Sequence, residues 1–268
     1  MRIEEVKILD GARLYCYICS ESPEMPIKGR DAMLVLPGGG YQMCSDREAE
    51  PIVKQYLAAG MNVFLLYYTC GAGAAGFTPL FEASLAMKHI REHKEEYNIN
   101  PDRVFAVGFS AGGHLCASLG TFWNAPWLLE KLDIPYGINR PTGTVLAYPV
   151  ISSVVSTHLG SFYSIIGTTE PTREQLEKYS IDLYVNKETS PAFIWATADD
   201  NAVPIINSLR MAEMLDANGV SFEIHIYPHG PHGLALANEE TCAGYPQMIH
   251  EDAAKWIELS VKWMKNLK

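Results

Sequence analysis

An apolar run at 104–107 stops abruptly at Gly108-Phe109-Ser110-Ala111-Gly112, and small residues then lead into a helical pattern. Gly-x-Ser-x-Gly carries meaning in this setting of buried strand, sharp turn and helix. Such a turn forces the serine into a strained conformation and leaves no room for side chains two positions before and after it. Glycine supplies that room at Gly108 and Gly112. The hydroxyl is then expected at the end of the sheet, over the N-terminus of the next helix, where developing negative charge is favoured. The plain alternative is a glycine-rich turn holding an ordinary serine; the flanking strand and helix patterns argue against it.

The rest of the chain repeats that alternation. Strand-like runs fall at 2–9, 13–19, 32–36, 62–68, 103–109, 143–148, 192–197 and 221–227, and helical patterns at 48–59, 79–97, 111–121, 203–218 and 247–266. Asp10-Gly11 between the first two runs is a hairpin signal, and Asn218-Gly219 is a helix stop. The later strands are apolar on both faces, as parallel strands covered by helices must be. The expected architecture is α/β: a mostly parallel eight-stranded sheet with an antiparallel strand near the N-terminus and helices on both faces, read as one domain over 1–268. The polar stretch 151–188 breaks the alternation, with a short helix expected at 172–179. It reads either as a small lid inserted over the site or as a passive surface excursion.

Charge limits the partners. With 21 basic against 31 acidic residues and a net charge of −10, no basic cluster stands out, so a nucleic-acid surface is not expected. The N-terminal residues lack an apolar signal core and no run reaches membrane-spanning length, so the chain reads as cytoplasmic with no membrane partner. Its six scattered cysteines read as reduced core residues. Cys16 and Cys19 lack a second ligand pair and would point to opposite faces of a strand, so no metal is expected there.

A serine hydroxyl needs a base, and the base needs an orienting carboxylate. The run 192–197 ends at Ala198-Asp199-Asp200, and the run 221–227 ends at Pro228-His229-Gly230-Pro231-His232-Gly233. Both fall just past late strand ends, where ligands gather in open α/β sheets. Asp199, first after the strand, is the expected acid, with Asp200 the alternative. His232, between Pro231 and Gly233, is the expected base; His229 is the alternative, and His225 lies inside the strand. Backbone donors for an oxyanion are expected at Ala111, just after the serine, and at Gly39 and Gly40 in Leu36-Pro37-Gly38-Gly39-Gly40-Tyr41. Tyr41, Phe122 and Trp123, with Phe162 and Tyr163 of the 151–188 stretch, are expected to narrow an acyl pocket, or else to serve as packing.

Taken together, Pro37-Gly38-Gly39-Gly40-Tyr41, Gly108-Phe109-Ser110-Ala111-Gly112-Gly113-His114, the Asp199-Asp200 segment and Gly230-Pro231-His232-Gly233 resemble the α/β-hydrolase superfamily. Within it, the chain is similar to bacterial esterases related to hormone-sensitive lipase and to acetyl-xylan esterases, from about residue 32 to the end. The resemblance implies a serine carboxylesterase for short-chain acyl esters, acetylated sugars among them, with no cofactor. Many relatives open the oxyanion loop with histidine; Pro37 stands there in this chain.

Two other readings remain. Gly71-Ala72-Gly73-Ala74-Ala75-Gly76 matches a dinucleotide-binding pattern, but the following helical pattern begins near Pro79, and the acidic residues about twenty positions on, Glu95 and Glu96, fall inside a helical pattern. His225, His229 and His232 with Asp199 or Asp200 form a conceivable zinc set, which would leave the serine motif without a purpose.

Overall fold

The computed structural model describes residues 1–155 and 158–267. Eight strands form one sheet: β1 (Arg2–Leu9), β2 (Ala12–Ile18), β3 (Arg30–Leu36), β4 (Asn62–Tyr67), β5 (Ile99–Phe109), β6 (Thr144–Ala147), β7 (Ala192–Thr197) and β8 (Phe222–Tyr227). Their spatial order is β1-β2-β4-β3-β5-β6-β7-β8. β2 pairs antiparallel with both β1 and β4, and the remaining neighbours are parallel. The expected α/β architecture is therefore present, with β2 as the reversed strand.

Nine helices surround or flank the sheet among the described residues: α1 (Glu50–Ala58), α2 (Thr78–Glu92), α3 (Ala111–Phe122), α4 (Pro126–Leu132), α5 (Leu159–Ile166), α6 (Arg173–Lys178), α7 (Ile206–Ala217), α8 (Glu251–Ala254) and α9 (Trp256–Asn266). Strand pleating divides the apolar residues between two cores. Leu34, Leu36, Phe64, Leu66 and Ala106 pack with Leu115 and Leu119 of α3, whereas Met33, Val35, Val63, Leu65, Phe105 and Val107 pack with Trp256 and Trp263. Because α3 lies against the sheet with all its residues buried, its first turn is built from Ala, Gly and Gly.

Several boundaries differ from the sequence reading. β5 begins at Ile99, α2 ends at Glu92, and the C-terminal helical pattern is broken into a 3-10 turn (Pro246–Met248), α8 and α9. The 151–188 stretch contains the expected short helix as α6, stabilised by a reciprocal Thr172–Gln175 capping box, and also α5, which the sequence did not suggest. Residues 156 and 157 of that stretch lie outside the described residues. Among the described residues no helix is long and apolar enough to cross a membrane.

The strand order positions the site. β3 leads to β4 on one side and is then flanked by β5 on the other, so the sheet changes its direction of growth at the β3–β5 pair. A crevice opens beyond the C-terminal ends of strands at such a switch point. Leu36 pairs with Gly108, which sets the glycine loop after β3 beside the serine turn after β5.

Candidate active site

Ser110 is the N-cap of α3 at φ 52, ψ −115, a strained conformation for a residue with a side chain. Its neighbours require the glycines. A Cβ on Gly108 would lie 2.1 Å from the carbonyl oxygen of Gly112, and one on Gly112 would lie 2.2 Å from that of Leu36. The backbone is held on both sides: Ser110 N–H donates to Ala147 (3.0 Å), and the Ser110 carbonyl accepts from His114 (3.0 Å) and Val150 (3.1 Å).

His232 Nε2 lies 2.7 Å from Ser110 Oγ, and His232 Nδ1 lies 2.6 Å from Asp200 Oδ2. An ionised carboxylate can only accept, so Nδ1 carries the proton and Nε2 accepts from the serine hydroxyl. The other Asp200 oxygen accepts from the N–H groups of Ala202 and Val203, each at 2.9 Å. The Asp200 side chain is 1% exposed and that of His232 20%. Burial strengthens the pair, while the two backbone donors keep the carboxylate satisfied and aimed. The Tyr148 ring packs edge-on against the imidazole at 5.1 Å.

The geometry sets Asp200, the alternative, against His232, and not Asp199, the expected acid. Asp199 does not reach His232; its carboxylate accepts from Gly230 N–H at 2.7 Å and meets His229 Nδ1 at 3.0 Å. Those two partners hold its carboxyl below the usual range, the His229 contact most strongly. Successive residues beyond a strand end turn to opposite sides, and here the second one turns inward. Asp199 thus tethers the loop that carries His232. His225 meets Glu223 on β8 at 2.7 Å, so the three histidines have three separate acidic partners and do not converge as a zinc set.

The glycine loop lies against the serine: a Cβ on Gly38 would come 3.1 Å from Ser110 Cβ. Gly38 N–H is already engaged, donating to Glu48 Oε2 at 2.8 Å. Gly39 at φ 127 and Gly40 at φ 63 occupy backbone regions that suit glycine. Among the described residues, the N–H groups of Gly39, Gly40 and Ala111 donate to no protein acceptor. Such unengaged amides beside a serine can receive an oxyanion.

Glu48, which the sequence reading passed over, is a buried carboxylate that braces both sides of the site. It holds Gly38 and also accepts from the Tyr148 hydroxyl at 2.6 Å. That hydroxyl in turn accepts from Ala235 N–H at 2.9 Å, just beyond the His232 loop. Its only advance signal was an acidic residue soon after the glycine loop.

Of the aromatics read as pocket or packing residues, Phe122 and Trp123 lie away from the serine. Phe122 is twelve residues along α3 from Ser110, about 18 Å at the helical rise. It lines a separate cavity of about 480 Å³ with Phe77 and Trp127. Trp123 donates to the Glu188 carbonyl at 2.9 Å and carries Arg140 over its ring. Helix direction takes both away from the site. The Tyr41 ring is buried beneath the glycine loop, with its hydroxyl 2.7 Å from His114 Nδ1. From the 151–188 stretch, Phe162 is buried against the His114 ring. Tyr163 instead lines a cleft of about 470 Å³ with Gln42, Ser164, Thr168 and Thr169. α5 also brings Ser161 Oγ to 3.9 Å from where a Cβ of Gly40 would stand, and His158 Nδ1 meets that Oγ at 2.9 Å. Burial, and secondarily the His232 charge, push the His158 pKa down.

Gly71–Ala74 forms a 3-10 turn, with Gly71 N–H donating to the Tyr41 carbonyl at 2.7 Å. α2 starts only at Thr78, after Gly76, and Glu95 and Glu96 lie in the turn that follows it. The strand–turn–helix context of a dinucleotide site is not formed.

Comparison with known proteins finds relatives of the chain. A family model described as BD-FAE matches residues 22–215. The chain is 38% identical over 224 residues to endo-1,4-β-xylanase B of Butyrivibrio fibrisolvens, covering 81% of this chain and 34% of that protein. It is 29% identical over 255 residues to acetylxylan esterase of Xylanibacter ruminicola, covering 93% of this chain and 48% of that one. This chain thus spans a third to a half of the curated relatives' lengths. The crystal structure of an acetyl ester-xyloside bifunctional hydrolase from Caldicellulosiruptor lactoaceticus superposes with a TM-score of 0.83 at 32% identity, over 98% of this chain and 95% of that one.

Proposed function

The chain belongs to the BD-FAE family and has the α/β-hydrolase fold, and on that footing we propose that it is a serine carboxylesterase that removes short acyl groups, acetyl foremost, from sugar hydroxyls. The observation that carries the proposal is the unbroken hydrogen-bond chain from Asp200 through His232 to Ser110.

His232 Nε2 takes the Ser110 proton as Oγ attacks the ester carbonyl. Asp200 keeps the Nδ1–H tautomer and stabilises the imidazolium that forms. The tetrahedral oxyanion is received by Ala111 N–H together with Gly39 or Gly40 N–H. A donor of this kind is worth about two to three orders of magnitude in turnover. The imidazolium then protonates the departing alcohol, and water repeats the sequence on the acyl-enzyme. His232 carries each proton in this scheme, from Ser110 to the alcohol and from water to Ser110, while the amides hold the oxyanion.

Two observations support a sugar as the alcohol. The cleft beside the glycine loop is lined by amide and hydroxyl groups, Gln42, Ser164, Thr168 and Thr169 among them. The similar protein of Xylanibacter ruminicola is an acetylxylan esterase. The test is acetate release from acetylated xylo-oligosaccharides, alongside p-nitrophenyl acetate and octanoate. Wild-type protein should release acetate and favour the acetate ester, and Ser110→Ala should lower turnover by about four to six orders of magnitude. A preference for octanoate, or Ser110→Ala retaining a tenth of the wild-type rate, contradicts the proposal.

A further inference from the structure

Pro37 has neither an N–H nor a polar side chain with which to anchor the glycine loop that it opens. Glu48 and the Tyr68 hydroxyl hold Gly38 N–H and the Pro37 carbonyl at the start of the loop, whereas Gly39 and Gly40, whose N–H groups are unengaged, lie further along it. The next residue, Tyr41, has a left-handed backbone at φ 60, an unfavourable conformation for a bulky side chain. Strain of this sort persists only where the surroundings over-determine it. The Tyr41 ring is buried, and its hydroxyl meets His114 Nδ1 at 2.7 Å. Its carbonyl accepts from Gly71 N–H at 2.7 Å.

We infer that Tyr41 and His114 are a positioning pair that fixes the glycine-loop amides relative to the amide of Ala111. This inference rests on the esterase reading above. His114 lies in the first turn of α3, and its own N–H donates to the Ser110 carbonyl at 3.0 Å. It therefore belongs to the same turn as Ala111. Its ring Nε2 lies 2.8 Å from the Tyr179 carbonyl, which can only accept. Nε2 must therefore carry the proton, which leaves Nδ1 as the acceptor for the tyrosine hydroxyl. One hydrogen bond thus joins the two segments from which the oxyanion donors come. Burial also lowers the His114 pKa to about 4, so the donor–acceptor order survives at pH values where an exposed imidazole would charge.

The test uses Tyr41→Phe, which removes one oxygen and keeps the ring. Turnover of p-nitrophenyl acetate should fall about ten- to a hundredfold, with KM within threefold, below the loss expected for deleting a donor outright. Affinity for a trifluoromethyl ketone, whose hemiketal oxyanion needs the same amides, should weaken in parallel. A purely structural role would lower Tm and leave both quantities intact in the folded protein. His114→Gln, which keeps one acceptor and one donor, should retain more activity than His114→Leu, and this comparison decides the matter should the tyrosine variant misfold. Unchanged turnover and ketone affinity in folded Tyr41→Phe, or equal losses in the two His114 variants, overturn the pairing while the esterase reading stands. A wild-type protein that cannot hydrolyse the acetate ester overturns both.

Discussion

Asp200 and His232 meet at 2.6 Å across two loops that are more than thirty residues apart in sequence, while Asp199, the adjacent residue, binds the backbone of Gly230. Neighbouring carboxylates have thus been given separate tasks. In the proposed mechanism Asp200 orients the imidazole, whereas Asp199 tethers the loop that delivers it.

That division makes the two aspartates separable. Asp200→Asn leaves the shape intact but offers a donor where the imidazole needs an acceptor, so kcat should fall by about three to four orders of magnitude. Asp199→Asn keeps an oxygen for Gly230 N–H and should cost less than tenfold. Steady-state kinetics of both variants on p-nitrophenyl acetate check this; a larger loss from Asp199→Asn would reverse the assignment.

Close backbone packing around the serine makes Gly108→Ala costly. The added methyl would meet the Gly112 carbonyl oxygen at 2.1 Å and Cys116 Cβ at 2.7 Å, both on a helix buried against the sheet. A loss of about 1–3 kcal/mol is expected from such overpacking, with lower activity as Ser110 shifts. Urea denaturation measures the first effect; a variant with wild-type stability and rate contradicts it.

Glu48 offers an analogous test on the polar side. Both of its oxygens accept, from Gly38 N–H and from the Tyr148 hydroxyl, so Glu48→Gln must set an NH2 against one of two donors. Leaving a buried donor unpaired costs about 1–3 kcal/mol. Because Gly38 lies against Ser110, kcat should also drop by about an order of magnitude. Thermal melts and initial rates report the two effects separately.

His114 makes stability depend on pH. Burial depresses its pKa from 6.5 to about 4, so the unfolded chain takes up a proton that the folded chain refuses. Between those values the unfolded state binds more protons, and stability rises with pH. The full contribution is present above pH 6.5 and is lost progressively as the pH falls towards 4, by about 3 kcal/mol in total. Denaturation midpoints measured from pH 7 to pH 4 should fall, and His114→Gln should flatten that slope. An identical slope in the variant contradicts the assignment.

Much of this was legible in the amino-acid order, for identifiable reasons. Strands apolar on both faces, glycines flanking Ser110, and acidic and histidine loops at late strand ends are local patterns with a physical cause, and all eight strands formed within a few residues of expectation. Other features depended on tertiary geometry. Asp199 and Asp200 follow the same strand, and only the turn of the chain beyond β7 separates their directions. The partners of Glu48 and His114 come from distant segments; Tyr41 and His114 are 73 residues apart. Phe122 and Trp123 take the packing alternative because nearness to Ser110 in sequence becomes distance when the intervening residues form a straight helix.

The central claim, that Ser110 is a nucleophile activated by His232, is tested most directly by labelling with a fluorophosphonate and mapping the modified peptide. The account predicts a single phosphonylated residue, Ser110, with labelling slowed by at least about a hundredfold in His232→Ala, the scale of general-base assistance. Modification at another residue, or equal labelling rates with and without the imidazole, would contradict it.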